Sequence, residues 1–197
     1  MSLLVESIKI LNGRCYGLHQ HENRMSRSMM ALFDLNKPIH IRNYIQLPDA
    51  YKKGLVKCRI LYDTQIRDVQ FSNYTIRNIR SAKLIFSDTV LYPHKLLKRD
   101  ALDSLYLLRD TCDEILVIKN GLVTDAYYYN LVFEKNGQLY TPLSPLLYGT
   151  QRQRLIDNNK IIPINIPTDE IFQYERIHFI NALTPLNICC IPTSQLL

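Results

Sequence analysis

The stretch YPHKLLKRDALDSL, residues 92–105, places Lys95, Lys98 and Arg99 just before a segment with helical spacing. A lysine becomes a nucleophile toward carbonyl carbons when burial or nearby cations favour its neutral amine. His94, Lys98 and Arg99 are neighbours that would act on Lys95 in this way. The same letters also fit the solvated start of an ordinary helix, so this stretch alone leaves both interpretations open.

A second position with chemical interest is Asp125 in VTDAYYYN, where three tyrosines and Asn130 follow the carboxylate. Aspartate is depleted in strands, and a buried carboxylate needs a partner. Asp125 is therefore a candidate to pair with a cationic atom of a ligand. An exposed carboxylate in a turn explains the letters equally well.

A third position is YGTQRQR, residues 148–154, where Gly149 and Thr150 precede a helical segment. The first N–H groups of a helix have no intrahelical acceptor, so such a start can bind an anion. The pattern is also that of an ordinary helix N-terminus.

The fourth position is LHQHENRMSRS, which contains His19, His21 and Arg24. Two histidines at this spacing suit a metal ion, but no cluster of Cys, Asp or Glu offers further ligands, and we expect no metal site. Arg24 lies one turn into a predicted helix, where it is a candidate phosphate contact or a surface arginine.

The surrounding pattern predicts an α+β fold. LLVESIKI alternates like a strand and runs into an Asn-Gly turn, and HQHENRMSRSMMALFDL places Met25, Met29, Leu32 and Phe33 on one helical face. IHIRNYIQLPDAYKKG reads as a second helix, either continuous or broken at Pro48, and LVKCRILYD, DVQFSNYTI and AKLIFSD read as strands. Residues 1–85 therefore form a predicted α/β domain.

Residues 86–197 are predicted to be strand-rich. EILVIK runs into Asn120-Gly121 and LVFEK into Asn136-Gly137, which predicts a meander of antiparallel strands. DALDSLYLLRD and TQRQRLIDNN read as two short helices, and the end of the chain is again rich in strand-like segments.

The composition limits the kinds of ligand and partner that this chain is expected to bind. The chain of 197 residues has no apolar run of the ~20 residues that a membrane-spanning helix needs, and no signal-peptide pattern. Its five cysteines form no metal or disulfide pattern and are expected to be free thiols in the cytoplasm. The net charge of +6 comes from scattered lysines and arginines, which favours a small anionic ligand over nucleic acid.

The order and spacing of these segments resemble the class IV aminotransferase family, fold type IV of the pyridoxal 5'-phosphate (PLP) enzymes. The resemblance extends over residues 3–192. The matching segments are H-x-x-R-M at 21–25, the lysine and arginine of Lys95 and Arg99, VT-acid-x4-N at Asp125 and Asn130, G-T-x-R at 149–152, and NAL-x-P at 181–185.

The resemblance implies PLP as the cofactor, a truncated N-terminal α/β domain, a strand-rich C-terminal domain and a homodimer. It makes Lys95 the Schiff-base lysine and Asp125 the partner of the pyridine nitrogen. The phosphate group would be held by Arg24, Gly149, Thr150, Gln151, Asn181 and Ala182. This chain departs from the family by carrying Asp125 in place of the usual glutamate, and NAL in place of a hydroxyl-rich turn.

Within the family, the lysine-arginine spacing and the NAL-x-P segment are most similar to 4-amino-4-deoxychorismate lyases, which release 4-aminobenzoate and pyruvate for folate synthesis. The expected substrate is a small amino compound with two carboxylates, and Arg59 and Arg99 are candidates to bind them. The alternatives are a branched-chain or D-amino-acid transaminase, and a non-catalytic protein that binds PLP or another anion.

Overall fold

The structure of the protein is a computed structural model that describes residues 2–197. Contacts within the chain divide it into two compact units. The first unit contains the residues up to Thr75 together with His94–Lys98, and the second contains Ile76–Pro93 and Arg99–Leu197.

This division differs from the boundary predicted at residues 85 and 86. Strand β5 (Ala82–Phe86) pairs in parallel with β6 (Glu114–Lys119), so it belongs to the second unit. His94–Lys98 return to the first unit, because the amide of Val5 donates to the carbonyl of Lys95 at 2.9 Å. Neither pairing has a local signal in the sequence.

The first unit is a four-stranded antiparallel sheet that packs against one long helix. The sheet has the order β2-β1-β3-β4. Its elements are β1 (Leu4–Leu11), β2 (Arg14–Cys15), α1 (Leu18–Phe33), β3 (Leu55–Tyr62) and β4 (Ile66–Asn73).

Alternation in β1 and β3 decides which face of this sheet is buried. Leu4, Ile8 and Ile10 face α1 and form the core of the unit with Met25 and Met29 of the helix. Helix α1 confirms the predicted helix, but one residue predicted on its buried apolar face is exposed. Leu32 is 38% exposed, because it lies in the last turn, away from the sheet.

The second helix predicted for residues 39–54 is wrong. This segment contains two single 3-10 turns, Ile41–Tyr44 and Asp49–Tyr51. Pro48 lies between them, and its ring and missing N–H are incompatible with a continuous helix.

The second unit is built on an eight-stranded mixed sheet. Its main path runs β10-β9-β8-β7-β6-β5, and β11 pairs with both β8 and β12. The remaining elements are α2 (Asp100–Leu107), β7 (Leu122–Ala126), β8 (Asn130–Lys135), β9 (Gln138–Pro142), α3 (Thr150–Asp157), β10 (Ile162–Ile164), β11 (Arg176–Ile180) and β12 (Cys190–Pro192).

The predicted hairpins of this unit are confirmed. Asn120-Gly121 joins β6 to β7, and Asn136-Gly137 joins β8 to β9, with positive φ at all four residues. Two consecutive positive φ angles are the requirement of the type I′ turn, which Asn-Gly meets at low cost. The strand-rich second unit and the mixed first unit together give the expected α+β fold.

Within residues 2–197, none of the helices has both the length and the apolar character needed to cross a membrane.

Candidate active site

Asp125 lies at the point where β7 and β8 meet, opposite Asn130. Its side chain is 4% exposed. Asn130 donates from Nδ2 to Asp125 Oδ1 at 2.6 Å, and the amide of Leu147 donates to Oδ2 at 2.8 Å. Asn130 Nδ2 also donates to the carbonyl of Leu147 at 2.8 Å, so these three residues form one closed network.

The carboxylate of Asp125 is buried without an ion pair among the described residues. Burial raises its pKa to about 7, and the two hydrogen bonds and the charge of Arg152 offset only part of this effect. Arg152 is itself engaged elsewhere, since its Nη2 donates to the carbonyl of Pro142 at 2.8 Å. A carboxylate in this environment is suited to receive a cationic group from a ligand.

Helix α3 begins next to this network. Its first intrahelical hydrogen bond runs from the amide of Gln153 to the carbonyl of Gly149 at 2.9 Å, so the amides of Thr150, Gln151 and Arg152 precede it. Gly149 provides no side-chain cap for them. Such a helix start can accept an anion through its N–H groups.

Gly149 is required by its contact with Asn130. A Cβ atom at this position would lie 1.8 Å from Asn130 Oδ1, well inside van der Waals contact. The φ of Gly149 is −71°, so the requirement comes from space and not from backbone conformation.

The turn after β11 contains the predicted Asn181 and Ala182. Asn181 Oδ1 accepts hydrogen bonds from the amides of Leu183 and Thr184, both at 2.9 Å, which closes the turn. The hydroxyl of Thr184 is buried and has no hydrogen-bond partner among residues 2–197. A hydroxyl therefore does occur close to the NAL segment, three residues after Asn181.

Arg99 is held by aromatic rings. Its guanidinium lies 4.2 Å from the ring centre of Tyr127 and 4.7 Å from that of Tyr128, and Nη2 donates to the carbonyl of Tyr127. Asn181 Nδ2 donates to the carbonyl of Tyr128 at 3.3 Å. The tyrosines between Asp125 and Asn130 thus connect Arg99 with the Asn181 turn.

Glu114 is a buried acid of the second unit that the sequence reasoning missed. Its Oε1 accepts from the amides of Ile115 and Tyr127, at 3.0 and 3.2 Å. Burial raises the pKa of Glu114 to about 7, and Arg77 approaches it only to 3.9 Å. Glu114 therefore helps to fix the backbone of Tyr127, on which Arg99 rests.

In the first unit, Lys95 is half-buried and Lys98 is exposed. The backbone of the segment is fixed on β1, since the amide of Leu97 donates to the carbonyl of Leu3 at 2.8 Å. The charge of Lys95 contributes to a lowered pKa of His21, although burial is the larger cause. Lys95 therefore lies within electrostatic range of the residues around Arg24.

Arg24 is buried and paired with Glu6, a residue the sequence reasoning also missed. Arg24 donates from Nε to Glu6 Oε1 at 2.9 Å and from Nη2 to Oε2 at 2.5 Å. The sequence did contain a signal for this residue. Glu6 lies on the same face of the alternating strand β1 as the buried Leu4, Ile8 and Ile10. An acid at an inward position of an alternating strand indicates a buried partner.

His21 and His19 have different environments. His21 is buried against Glu6, with Nδ1 2.5 Å from Oε2, whereas His19 is exposed and contacts Asn23. No three His, Cys, Asp or Glu side chains converge as a metal site within the described part of the chain.

Arg59 does not lie with Arg24. In the register of β1 and β3, Glu6 is opposite Ile60 and Ser7 is opposite Arg59, so Arg59 and Glu6 point to opposite faces of the sheet. The Arg59 guanidinium donates from Nη1 to Gln70 Oε1 at 3.5 Å.

Comparisons with known proteins identify the family and the fold. The amino-transferase class IV family model matches residues 3–189. An uncharacterized protein of Haemophilus influenzae is 34% identical over 185 residues, which cover 93% of this chain and 98% of that protein.

Two solved structures share the fold. One, from Haemophilus somnus, has the provisional assignment 4-amino-4-deoxychorismate lyase; it is 34% identical, with a TM-score of 0.88 over 94% of this chain and 98% of that chain. The other is the PLP-bound form of a hypothetical aminotransferase from Mycobacterium tuberculosis. It is 16% identical, with a TM-score of 0.76 over 94% of this chain and 79% of that chain.

Gly149→Ala is expected to lower the free energy of unfolding by about 1–3 kcal/mol, because Asn130 must leave Asp125 to make room for the methyl group. In the Asn130→Ala background the same substitution is expected to cost much less, since the clashing amide is gone. Urea unfolding of the wild type, both single variants and the double variant measures this coupling. Additive costs would contradict the contact.

Asp125→Asn is expected to flatten the dependence of stability on pH. Burial raises the pKa of folded Asp125 to about 7 from the usual 3.8, so unfolding releases a proton between these values and stability falls as the pH rises through them. Between about pH 5 and 8 the wild type should lose roughly 2–3 kcal/mol that the variant retains.

Unfolding of both proteins at several pH values tests this. Glu114 is present in both, so its own contribution cancels in the comparison. Asp157→Asn, which changes an exposed carboxylate on α3, is the matched control and should keep the wild-type slope. Equal slopes in wild type and Asp125→Asn would show that Asp125 titrates as an ordinary aspartate.

Proposed function

The chain belongs to the class IV aminotransferase family, and we propose that it is a PLP-dependent lyase that converts 4-amino-4-deoxychorismate into 4-aminobenzoate and pyruvate. The observation that carries this proposal is the similarity to the Haemophilus somnus protein over nearly the full length of both chains. That protein shares the fold and about a third of the residues, and its provisional assignment is this lyase.

The residues present fit PLP. When bound, PLP supplies an electron sink that stabilises the negative charge left when a proton leaves the substrate carbon. The buried carboxylate of Asp125, which has no ion pair in its unit, suits the task of holding a proton on the pyridine nitrogen. Asp125 is shorter than the family's usual glutamate, and Asn130 and Leu147 fix both of its oxygens.

The phosphate group requires donors and positive charge. In our proposal the amides of Thr150 and Gln151 at the start of α3 donate to it, with Gly149 allowing the close approach of the chain. Asn181 and Ala182 contribute the backbone of their turn. Arg24 contributes charged N–H donors of its guanidinium, which Glu6 also binds.

Lys95 is the residue that we propose to bond to the cofactor and then to move the substrate proton. Its amine would remove the proton from the amine-bearing carbon of the substrate, the ring C–O bond to the enolpyruvyl group would break as the ring becomes aromatic, and return of that proton to the departing enolpyruvate would give pyruvate. The half-buried position of Lys95 supports this role, whereas Lys98 is exposed.

The two carboxylates of the substrate need cationic partners. Arg99 is the better supported candidate, because two tyrosine rings and a carbonyl hold its guanidinium in a defined orientation. Arg59 remains a proposed partner on the basis of its charge, and a 3.5 Å hydrogen bond to Gln70 is its contact among the described side chains. We also propose, on family resemblance alone, that the protein acts as a homodimer in the cytoplasm.

Borohydride reduction of the protein with PLP is expected to fix the cofactor on Lys95, and peptide mapping identifies the labelled lysine. Lys98→Ala should leave the label in place, because Lys98 is an exposed neighbour. Lys95→Ala should abolish the label. Modification of Lys98 or Lys83 in the wild type would refute the assignment of Lys95.

The purified protein with PLP should release 4-aminobenzoate and pyruvate from 4-amino-4-deoxychorismate in equal amounts without any keto acid. A lyase needs no amino acceptor, whereas a transaminase requires one. Asp125→Asn should bind PLP but lose most of the rate, since the pyridine nitrogen is no longer held protonated.

The assay also distinguishes the alternatives. Formation of glutamate from leucine or D-alanine with 2-oxoglutarate, and no 4-aminobenzoate, would replace the lyase by a transaminase. No turnover and no bound PLP would favour a non-catalytic anion-binding protein.

A further inference from the structure

The first unit contains a buried acid whose hydrogen bonds within residues 2–197 go to one helix. Glu6 is 0% exposed in β1. Its Oε1 accepts from Arg24 Nε, and its Oε2 is shared by Arg24 Nη2 and His21 Nδ1, with donor–acceptor distances of 2.9, 2.5 and 2.5 Å. Both partners belong to α1, one turn apart.

The protonation states of the three groups follow from their surroundings. Burial by itself would raise the pKa of Glu6, but Arg24 and His21 outweigh it and lower the pKa to about 2. An ionised carboxylate only accepts hydrogen bonds, so His21 must donate from Nδ1. Burial lowers the pKa of His21. The group is therefore a Glu6–Arg24 ion pair with a neutral His21 as second donor.

This arrangement fixes the orientation of the Arg24 guanidinium. A bidentate contact through Nε and Nη2 defines both the plane and the direction of the group. The carboxylate is rigid in turn, because β1 lies inside the sheet between β2 and β3, with Glu6 opposite Ile60. Arg24 thus keeps one conformation although arginine has a long, flexible side chain.

Stability alone gives little reason for such a pair. Removing two charges from water costs free energy that their attraction often only balances, and apolar replacements of buried pairs are frequently as stable. His21 also donates a hydrogen bond to the same carboxylate. A buried ion pair with a third polar residue is more readily explained by a need to orient the arginine.

We propose that Glu6 is a positioning residue that makes Arg24 selective for the phosphate group of the cofactor. This inference rests on the proposed function, in which Arg24 contacts that phosphate. An arginine already held in one orientation loses less side-chain entropy when it binds an oxyanion than a mobile one does. Glu6 touches no ligand itself, so its effect should appear only where Arg24 acts.

Comparing PLP with pyridoxal, which lacks the phosphate group, tests this proposal. Glu6→Gln is expected to weaken PLP binding about 10-fold and to change pyridoxal binding less than about 2-fold, because only PLP has the phosphate group that Arg24 contacts. Dissociation constants from absorbance or fluorescence titration measure both. Glu22→Gln is the matched control, since Glu22 Oε1 accepts from the amide of Ile41 and a glutamine retains that acceptor.

A double-mutant cycle separates positioning from general damage to the fold. In the Arg24→Ala background, Glu6→Gln should no longer alter the ratio of the two affinities. Glu6→Asp keeps the buried charge but shortens the side chain, so it should also lose phosphate preference. This second variant keeps the test usable if Glu6→Gln does not fold, which circular dichroism will show.

The outcomes are distinct. Equal weakening of PLP and pyridoxal by Glu6→Gln, or an effect that persists in Arg24→Ala, would overturn the positioning role while leaving the proposed function intact. A wild-type protein that binds neither compound would overturn the cofactor assignment and this inference together, whereas equal binding of both would overturn the phosphate contact of Arg24 and this inference.

Discussion

Burial of the Asp125 carboxylate is the constraint that organises the second unit. The strands β7 and β8 meet at this residue and Asn130, and the loop before α3 returns to place the Leu147 amide on its second oxygen. Gly149 follows because any side chain there would displace Asn130. The start of α3 and the buried acid are thus brought together by a single network, which explains why one short region supplies both a negative group and free amides.

The two units treat their buried acids in opposite ways. Burial alone would raise the pKa of Glu6, but the positive charge of Arg24 and the hydrogen bond from His21 together lower it to about 2. Asp125 has hydrogen bonds but no ion pair among the described residues, and burial raises its pKa to about 7. A paired carboxylate serves its own surroundings, whereas an unpaired one is suited to an external cation. This contrast supports the proposed positioning task for Glu6 and the proposed ligand-binding task for Asp125.

Arg99 illustrates how tertiary contacts alter the meaning of a sequence motif. In the sequence it is a basic residue four positions after Lys95. In the structure it belongs to the second unit, where it rests on Tyr127 and Tyr128. Glu114 accepts a hydrogen bond from the amide of Tyr127, so the backbone that carries these tyrosines is itself held in place. The guanidinium is consequently oriented by two rings and a backbone carbonyl.

The sequence alone determined features that depend on neighbours along the chain. The Asn-Gly hairpins and helices α1 and α3 are local patterns, so backbone conformation and side-chain period were enough to predict them, whereas the family segments were recognised by resemblance. The tertiary structure decided the rest: the pairing of Glu6 with Arg24, the return of His94–Lys98 to β1, the placement of Arg59 on the opposite sheet face, and the clash that requires glycine at 149. These depend on atoms far apart in the chain, whose contact and desolvation exist only once the strands have paired.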